Sequence, residues 1–161
     1  MAKNTAIPII LILSNPTKKS ECTPEQIIKA TKGRCMIATG SPFPPVKINN
    51  VEKKVSQCNN MYIFPGVGLG AIISMTSKIT NEMFIAAAKA LASLVSSQDA
   101  SQGLLLPDIK EIRKVSENVA LSVAKEARNS GLGIRLPDEK LRELIKNAMW
   151  VPRYLPYRFE E

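Results

Sequence analysis

Ile7-Pro8-Ile9-Ile10-Leu11-Ile12-Leu13 opens the stretch, running to Thr39, whose reading decides the fold. The run is short, apolar at consecutive positions and rich in isoleucine, the pattern of a parallel strand covered by helices on both sides. Ser14-Asn15-Pro16-Thr17 ends it as a loop. Thr23 then stands as a helix N-cap, Pro24 takes the first helical position, and Gln26 completes a capping box. Cys22 and Ile27 occupy the positions of a hydrophobic staple, and Lys32-Gly33 supplies the stop. Cys35-Met36-Ile37-Ala38-Thr39 reads as a second short buried strand. Strand, helix, strand is a βαβ unit, which places the chain in the α/β class. Two parallel strands do not complete a doubly wound sheet, so the expectation is the last part of a larger domain.

Working outward, residues 40–60 form a long irregular connection with Pro42, Pro44 and Pro45, and Asn49-Asn50 as a hairpin turn. Beyond Pro65 the chain turns helical. Thr80 caps a helix with Ile79 and Phe84 as its staple, and an alanine-rich stretch carries it to about Val95. Ser116 starts another helix, with Val119, Val123 and Ala127 on one face and Gly131 beyond its end. Leu141, Leu144, Ile145, Ala148 and Met149 make the stripe of a last helix begun at Pro137. The reading divides the chain into an α/β portion, 1–100, and a helical C-terminal segment, 101–161.

Composition narrows the chemistry. The chain has 161 residues, 45% of them apolar and 22% charged, a net charge of +8 and no histidine. Disordered and fibrous classes are excluded. Without histidine this chain alone builds no Ser-His-Asp or Cys-His nucleophile and no His-ligated zinc. Three widely spaced cysteines, Cys22, Cys35 and Cys58, read as reduced thiols of a cytosolic protein. The longest near-continuous apolar run, Ile7 to Leu13, is far short of a membrane span and lacks a signal-cleavage pattern. Residues 1–60 carry nine basic and three acidic side chains, yet no aromatic residue interleaves with the lysines as a base-stacking platform requires. A solvated basic face is expected, and neither nucleic acid nor membrane as a partner.

Two local patterns invite a ligand. Gly66-Val67-Gly68-Leu69-Gly70-Ala71 is formally G-x-G-x-x-A. Pro65 interrupts the strand-to-helix turn, and a helix follows where an acidic strand end belongs, so close helix packing is the expectation. Asn15, at the carboxyl end of the first strand, and Asn59-Asn60, just before an apolar run, are amides where open α/β sheets bind ligands. An amide both donates and accepts without imposing charge, so the pair suits a carboxylate, hydroxyl or carboxamide. Asp108 and Glu111 lack a partner carboxylate, and Lys110, Arg113 and Lys114 read as surface.

Several blocks occur in a distinctive order. They are Leu13-Ser14-Asn15-Pro16-Thr17, Glu21-Cys22-Thr23-Pro24-Glu25-Gln26, Gly33-Arg34-Cys35, Ala38-Thr39-Gly40-Ser41-Pro42-Phe43 and Asn59-Asn60-Met61-Tyr62-Ile63-Phe64-Pro65-Gly66. Together they resemble the C-terminal half of the NAD-binding domain of malic enzymes, followed by that family's helical C-terminal segment. The likeness continues through Gly103-Leu104-Leu105-Leu106-Pro107, Ile112-Arg113-Lys114-Val115-Ser116 and Arg135-Leu136-Pro137.

The resemblance implies a Rossmann-like fold of parallel strands with flanking helices, and decarboxylation of L-malate to pyruvate with NAD or NADP and Mg²⁺ or Mn²⁺. It also implies a homo-oligomer in the cytoplasm, or in the mitochondrial matrix of a eukaryote. By matching motifs, Asn15 and Asn59 would hydrogen-bond malate, Asn60 would face the nicotinamide carboxamide, and Ser14 and Pro16 would line the cofactor edge. The family's catalytic tyrosine, catalytic lysine, acidic metal cluster and glycine-rich pyrophosphate loop have no counterpart in these residues. The expectation is therefore a fragment inactive alone, with no catalytic residue and no metal ligand of its own. Half of a two-chain enzyme, a malolactic piece and a non-catalytic interaction module are the alternatives. Ser56 and Cys58 replace glycines usual in the family, and a positive φ at either would cost roughly 1 kcal/mol or more.

Overall fold

The computed structural model describes residues 1–48 and 51–154. Strand β1 (Ile9–Ile12) runs into a loop carrying a 3₁₀ turn at Thr17–Lys19, then α1 (Pro24–Thr31) and β2 (Met36–Thr39). The βαβ unit forms as its residues dictate. β1 and β2 pair in parallel with Ile9 opposite Met36 and Ile12 opposite Thr39. Both bonds of the capping box form, the Gln26 N–H donating to Thr23 Oγ1 and the Thr23 N–H to Gln26 Oε1 at 2.8 Å. Lys32 and Gly33 are both left-handed, at φ 53° and 77°, and unwind the helix end as the Lys-Gly pair announces.

The expectation of two strands is corrected to three. Residues 40–60 hold β3 (Val46–Ile48), β4 (Val51–Lys53) and β5 (Ser56–Gln57). β3 and β4 pair antiparallel, while the Asn49-Asn50 turn itself lies outside the described residues. β5 adds in parallel to β2, giving the order β1-β2-β5. Ser-Gln carries no apolar signal, which is why the strand escapes a hydropathy reading.

Within the described residues β1 is covered on one side. Ile12 is buried against Ile27, Ile28, Cys35 and Ile37, with Ile10 packed on the same cluster. The opposite face, Ile7, Ile9, Leu11 and Leu13, is about half exposed. α1 covers one side, and none of the described residues covers the other.

The remaining elements are α2 (Phe64–Ser74), α3 (Asn81–Ser93), α4 (Ser97–Ser101), α5 (Ile112–Asn129) and α6 (Asp138–Ala148). Thr80 caps α3 and Pro137 precedes α6. The helix expected from Ser116 begins earlier, at Ile112. Asp108 accepts from the Lys110 N–H at 2.9 Å, and the 3₁₀ turn Ile109–Glu111 feeds directly into α5. α5 is central, with α2 and α3 packed on Val115, Val119, Val123 and Ala127, and α6 on Ala120, Leu121 and Ala124. The helices on the two sides of residue 100 therefore share one core. The glycines decide how closely α2 approaches α5. A Cβ on Gly66 would stand 2.6 Å from Val119, and one on Gly70 2.5 Å from the Ala120 carbonyl, whereas Gly68 faces open space. Close packing against α5 is what Gly66 and Gly70 serve.

Candidate functional site

Parallel pairing brings the carboxyl ends of β1, β2 and β5 to one edge. The Gly40 N–H donates to the Ile12 carbonyl at 2.7 Å, and the Cys58 N–H to the Thr39 carbonyl at 2.8 Å, so the three exit loops leave side by side. Residues 26 and 44 positions apart in sequence thereby become neighbours: Asn15 follows β1, Ser41 follows β2, and Asn59 follows β5. Such an edge is where open α/β sheets take ligands.

There Asn15, Asn59 and Asn60 line one cleft of about 320 Å³, together with Leu13, Cys58, Tyr62, Ile63, Phe64, Leu91 and Leu106. Asn15 donates from Nδ2 to the Leu13 carbonyl at 3.3 Å, and its Oδ1 accepts from Ser41 Oγ. The Asn15–Pro16 peptide is cis. Asn59 is extended (φ −132°, ψ 151°), and its Oδ1 accepts from the Met61 N–H at 3.1 Å, capping the 3₁₀ turn Asn60–Tyr62. The amide pair thus starts a 3₁₀ turn, and Asn59 has the capping role that its apolar followers concealed. Among the described residues none hydrogen-bonds the exposed Asn60 side chain.

Tyr62 is buried beneath the turn and donates from its hydroxyl to the Pro107 carbonyl at 2.8 Å, tying the cleft to the loop before α5. Burial raises its phenol above the ordinary value, with the Asp108 negative charge adding to it. Burial likewise raises the Cys58 thiol, so this sulfur stays protonated and weakly nucleophilic. Neither Ser56 nor Cys58 is among the described non-glycine residues with positive φ, which are Lys32 and Met75, so the substituted glycines leave no backbone strain. Ser56 instead gains a role, its Oγ accepting from the Leu105 N–H at 2.8 Å.

Ser14 and Pro16 flank Asn15 but are not among the cleft's lining residues. Ser14 donates to Glu21 Oε1 at 2.6 Å and holds that carboxyl below its ordinary value; Pro16 is exposed. Sequence reasoning missed Ser41 and Tyr62. Ser41 stood in plain view at the carboxyl end of β2, a position that marks ligand sites in this class.

The cleft offers three neutral amides over an apolar floor. A carboxamide or carboxylate fits these donors and acceptors without a net charge. A divalent cation does not fit, since among the described residues no three His, Cys, Asp or Glu side chains gather to hold one. No described helix is long and apolar enough to cross a membrane.

The sequence model of a family described as "Malic enzyme, NAD binding domain" matches residues 1–128. The chain belongs to the malic enzyme family. Curated malic enzyme relatives agree along its length. A protein named NAD-dependent malic enzyme from Pseudomonas savastanoi pv. phaseolicola is 46% identical over 156 residues, covering 97% of this chain and 28% of the relative. Another of that name from Cronobacter sakazakii is 42% identical over 158 residues, 98% of this chain and 28% of the relative. The chain thus spans little more than a quarter of the length of the relatives it matches. Among solved structures, the malic enzyme of Pyrococcus horikoshii superposes with a TM-score of 0.66 at 30% identity, covering 86% of this chain and 28% of that one. The Entamoeba histolytica malic enzyme gives 0.67 at 25% identity, covering 85% and 26%. The α/β fold is therefore that of the family's Rossmann-like NAD-binding part.

Proposed function

We propose that this chain supplies the substrate-holding edge of an NAD-dependent malic enzyme, with Asn15 and Asn59 binding L-malate and Asn60 binding the nicotinamide carboxamide. The observation that carries this is the convergence of all three amides on one cleft. NAD, when bound, accepts hydride in the decarboxylation of malate to pyruvate. The chain's own residues bind and orient. Asn15 and Asn59 reach the same ligand from separate loops, and the apolar floor of Leu13, Ile63, Phe64 and Leu106 keeps water from the flat ring of the cofactor. Ser14 and Pro16 bound the loop that carries Asn15 and line the cofactor edge just outside the cleft. A lowered-pKa Glu21 bonded to Ser14 steadies that loop. No step is assigned to a metal ion here, because these residues do not fit one. The three free cysteines accord with a reducing cytoplasm.

The test is to titrate the chain with L-malate and with NAD, and to assay turnover in a two-part enzyme completed with the upstream portion of a close relative. The chain alone is expected to reduce no NAD with malate and Mn²⁺, since amides orient a substrate without taking its proton. In the completed enzyme Asn59→Ala should damage malate use and Asn60→Ala nicotinamide affinity. Each leaves a ligand group unpaired, for a loss of about five- to hundredfold. Unchanged malate kinetics in both Asn15→Ala and Asn59→Ala would sink the assignment.

A further inference from the structure

We infer that Ser41 is the residue that orients Asn15, turning its amide oxygen inward and leaving its NH₂ for an acceptor group of the ligand; this rests on the malate reading of the cleft. A backbone carbonyl only accepts, so the Asn15 atom facing the Leu13 carbonyl at 3.3 Å is the nitrogen. The other terminal atom is then Oδ1, and the hydroxyl of Ser41 facing it is the donor. Ser41 is 6% exposed, so its hydroxyl has little access to water as a substitute acceptor, whereas Asn15 itself is exposed and is held by this bond.

The backbone beneath is held as well. Gly40 is tied to Ile12 at 2.7 Å, and Gln57 Nε2 donates to the Gly40 carbonyl at 3.4 Å. A Cβ on Gly40 would overlap the Leu13 carbonyl and stand 3.0 Å from Asn15 Nδ2, so the glycine reserves the space into which the amide is folded. With one N–H given to Leu13, the second is the group Asn15 offers the cleft. Asn59 has the same polarity, because its oxygen is spent on the Met61 N–H. Two NH₂ groups from two loops match a carboxylate, which only accepts, and match an ammonium badly. Ser41 bonds Asn15 and is not among the residues lining the cleft, so it is a positioning residue.

The test follows the Asn15 side-chain amide by nitrogen-15 relaxation and shift in the 161-residue chain, with L-malate as the probe. In the wild-type chain this amide should be as ordered as the β1 backbone, while the exposed Asn147 amide is mobile. Ser41→Ala should release it and raise the dissociation constant for L-malate about tenfold, with β1 and β2 backbone shifts kept. Ser41→Thr, which keeps the hydroxyl, should restore both. A wild-type Asn15 amide as mobile as that of Asn147 overturns the inference whether or not any variant folds, and so does an amide unchanged in Ser41→Ala. An amide that is ordered, freed by Ser41→Ala and indifferent to L-malate upholds the role of Ser41 and overturns the malate reading instead.

Discussion

Helix α5 carries Arg113, Lys114, Glu117, Lys125, Glu126 and Arg128 and still buries seven side chains, while β1, made only of isoleucine and leucine, buries Ile12 alone. Three helices surround α5, and β1 is an edge strand with α1 on one face. Hydrophobicity says what a residue gains by being covered; the neighbours decide whether it is. The helical half is closed around its centre, and the sheet half is open on one side of its most apolar strand.

The sharpest way to break this contrast is to separate α2 from α5. Gly70→Val puts side-chain atoms where the Ala120 carbonyl and Val123 already stand, and should cost about 3 kcal/mol or more in chemical denaturation. Gly68→Ala, two residues away and facing open space, should instead stabilise by about 0.5–1 kcal/mol through a lower helix cost. Equal losses in the two variants would mean that the glycines do not set the helix approach.

Adjacent residues of β1 probe the open side. Ile12→Ala should cost about 2–4 kcal/mol, because the cavity it leaves is walled by Ile27, Ile28 and Ile37. Leu11→Ala, at 53% exposure, should cost under about 1 kcal/mol. Similar costs would show that the outer face is covered in solution. Association sharpens the same point. The 161-residue chain should bind an apolar-surface dye and self-associate through the β1 edge, and Ile9→Lys with Leu11→Lys should suppress both without lowering stability. A monomeric parent chain that binds no dye would contradict it.

The smallest effect concerns the seam between α5 and α6. Lys125 at 2.6 Å and Arg128 at 2.9 Å hold the Asp138 carboxyl below its ordinary value. A depressed folded value means stability present above the ordinary carboxylate range and lost as pH falls through it. Asp138 is solvent-accessible, so the slope should be shallow. Asp138→Asn should flatten the fall in melting midpoint below about pH 5, and an unaltered acid slope would remove the pair from the account.

The contrast also explains what was legible. Local signals were read where bonding is local: the Thr23–Gln26 box, the Lys32-Gly33 stop and the stripe of α6 all depend on residues a turn apart. β5 was not legible, since two polar residues become a strand only by pairing with β2. Asn15, Asn59 and Asn60 were recognisable as amides at promising positions, but Ser41 gained meaning only beside Asn15. The start of α5 was misread because Asp108 caps a 3₁₀ turn, a shorter signal than the Ser116 pattern.

By itself, then, the order of residues determined the α/β class, the βαβ unit, the caps and the family, because caps, periodicity and motif spacing act over a few positions along the chain. The tertiary structure alone decided that Gly66 and Gly70 pack helices, that one face of β1 is left about half exposed among the described residues, and that three loops meet with Ser41 behind Asn15. Those outcomes depend on which surfaces come within a few ångströms across tens of residues, and no local propensity encodes that distance.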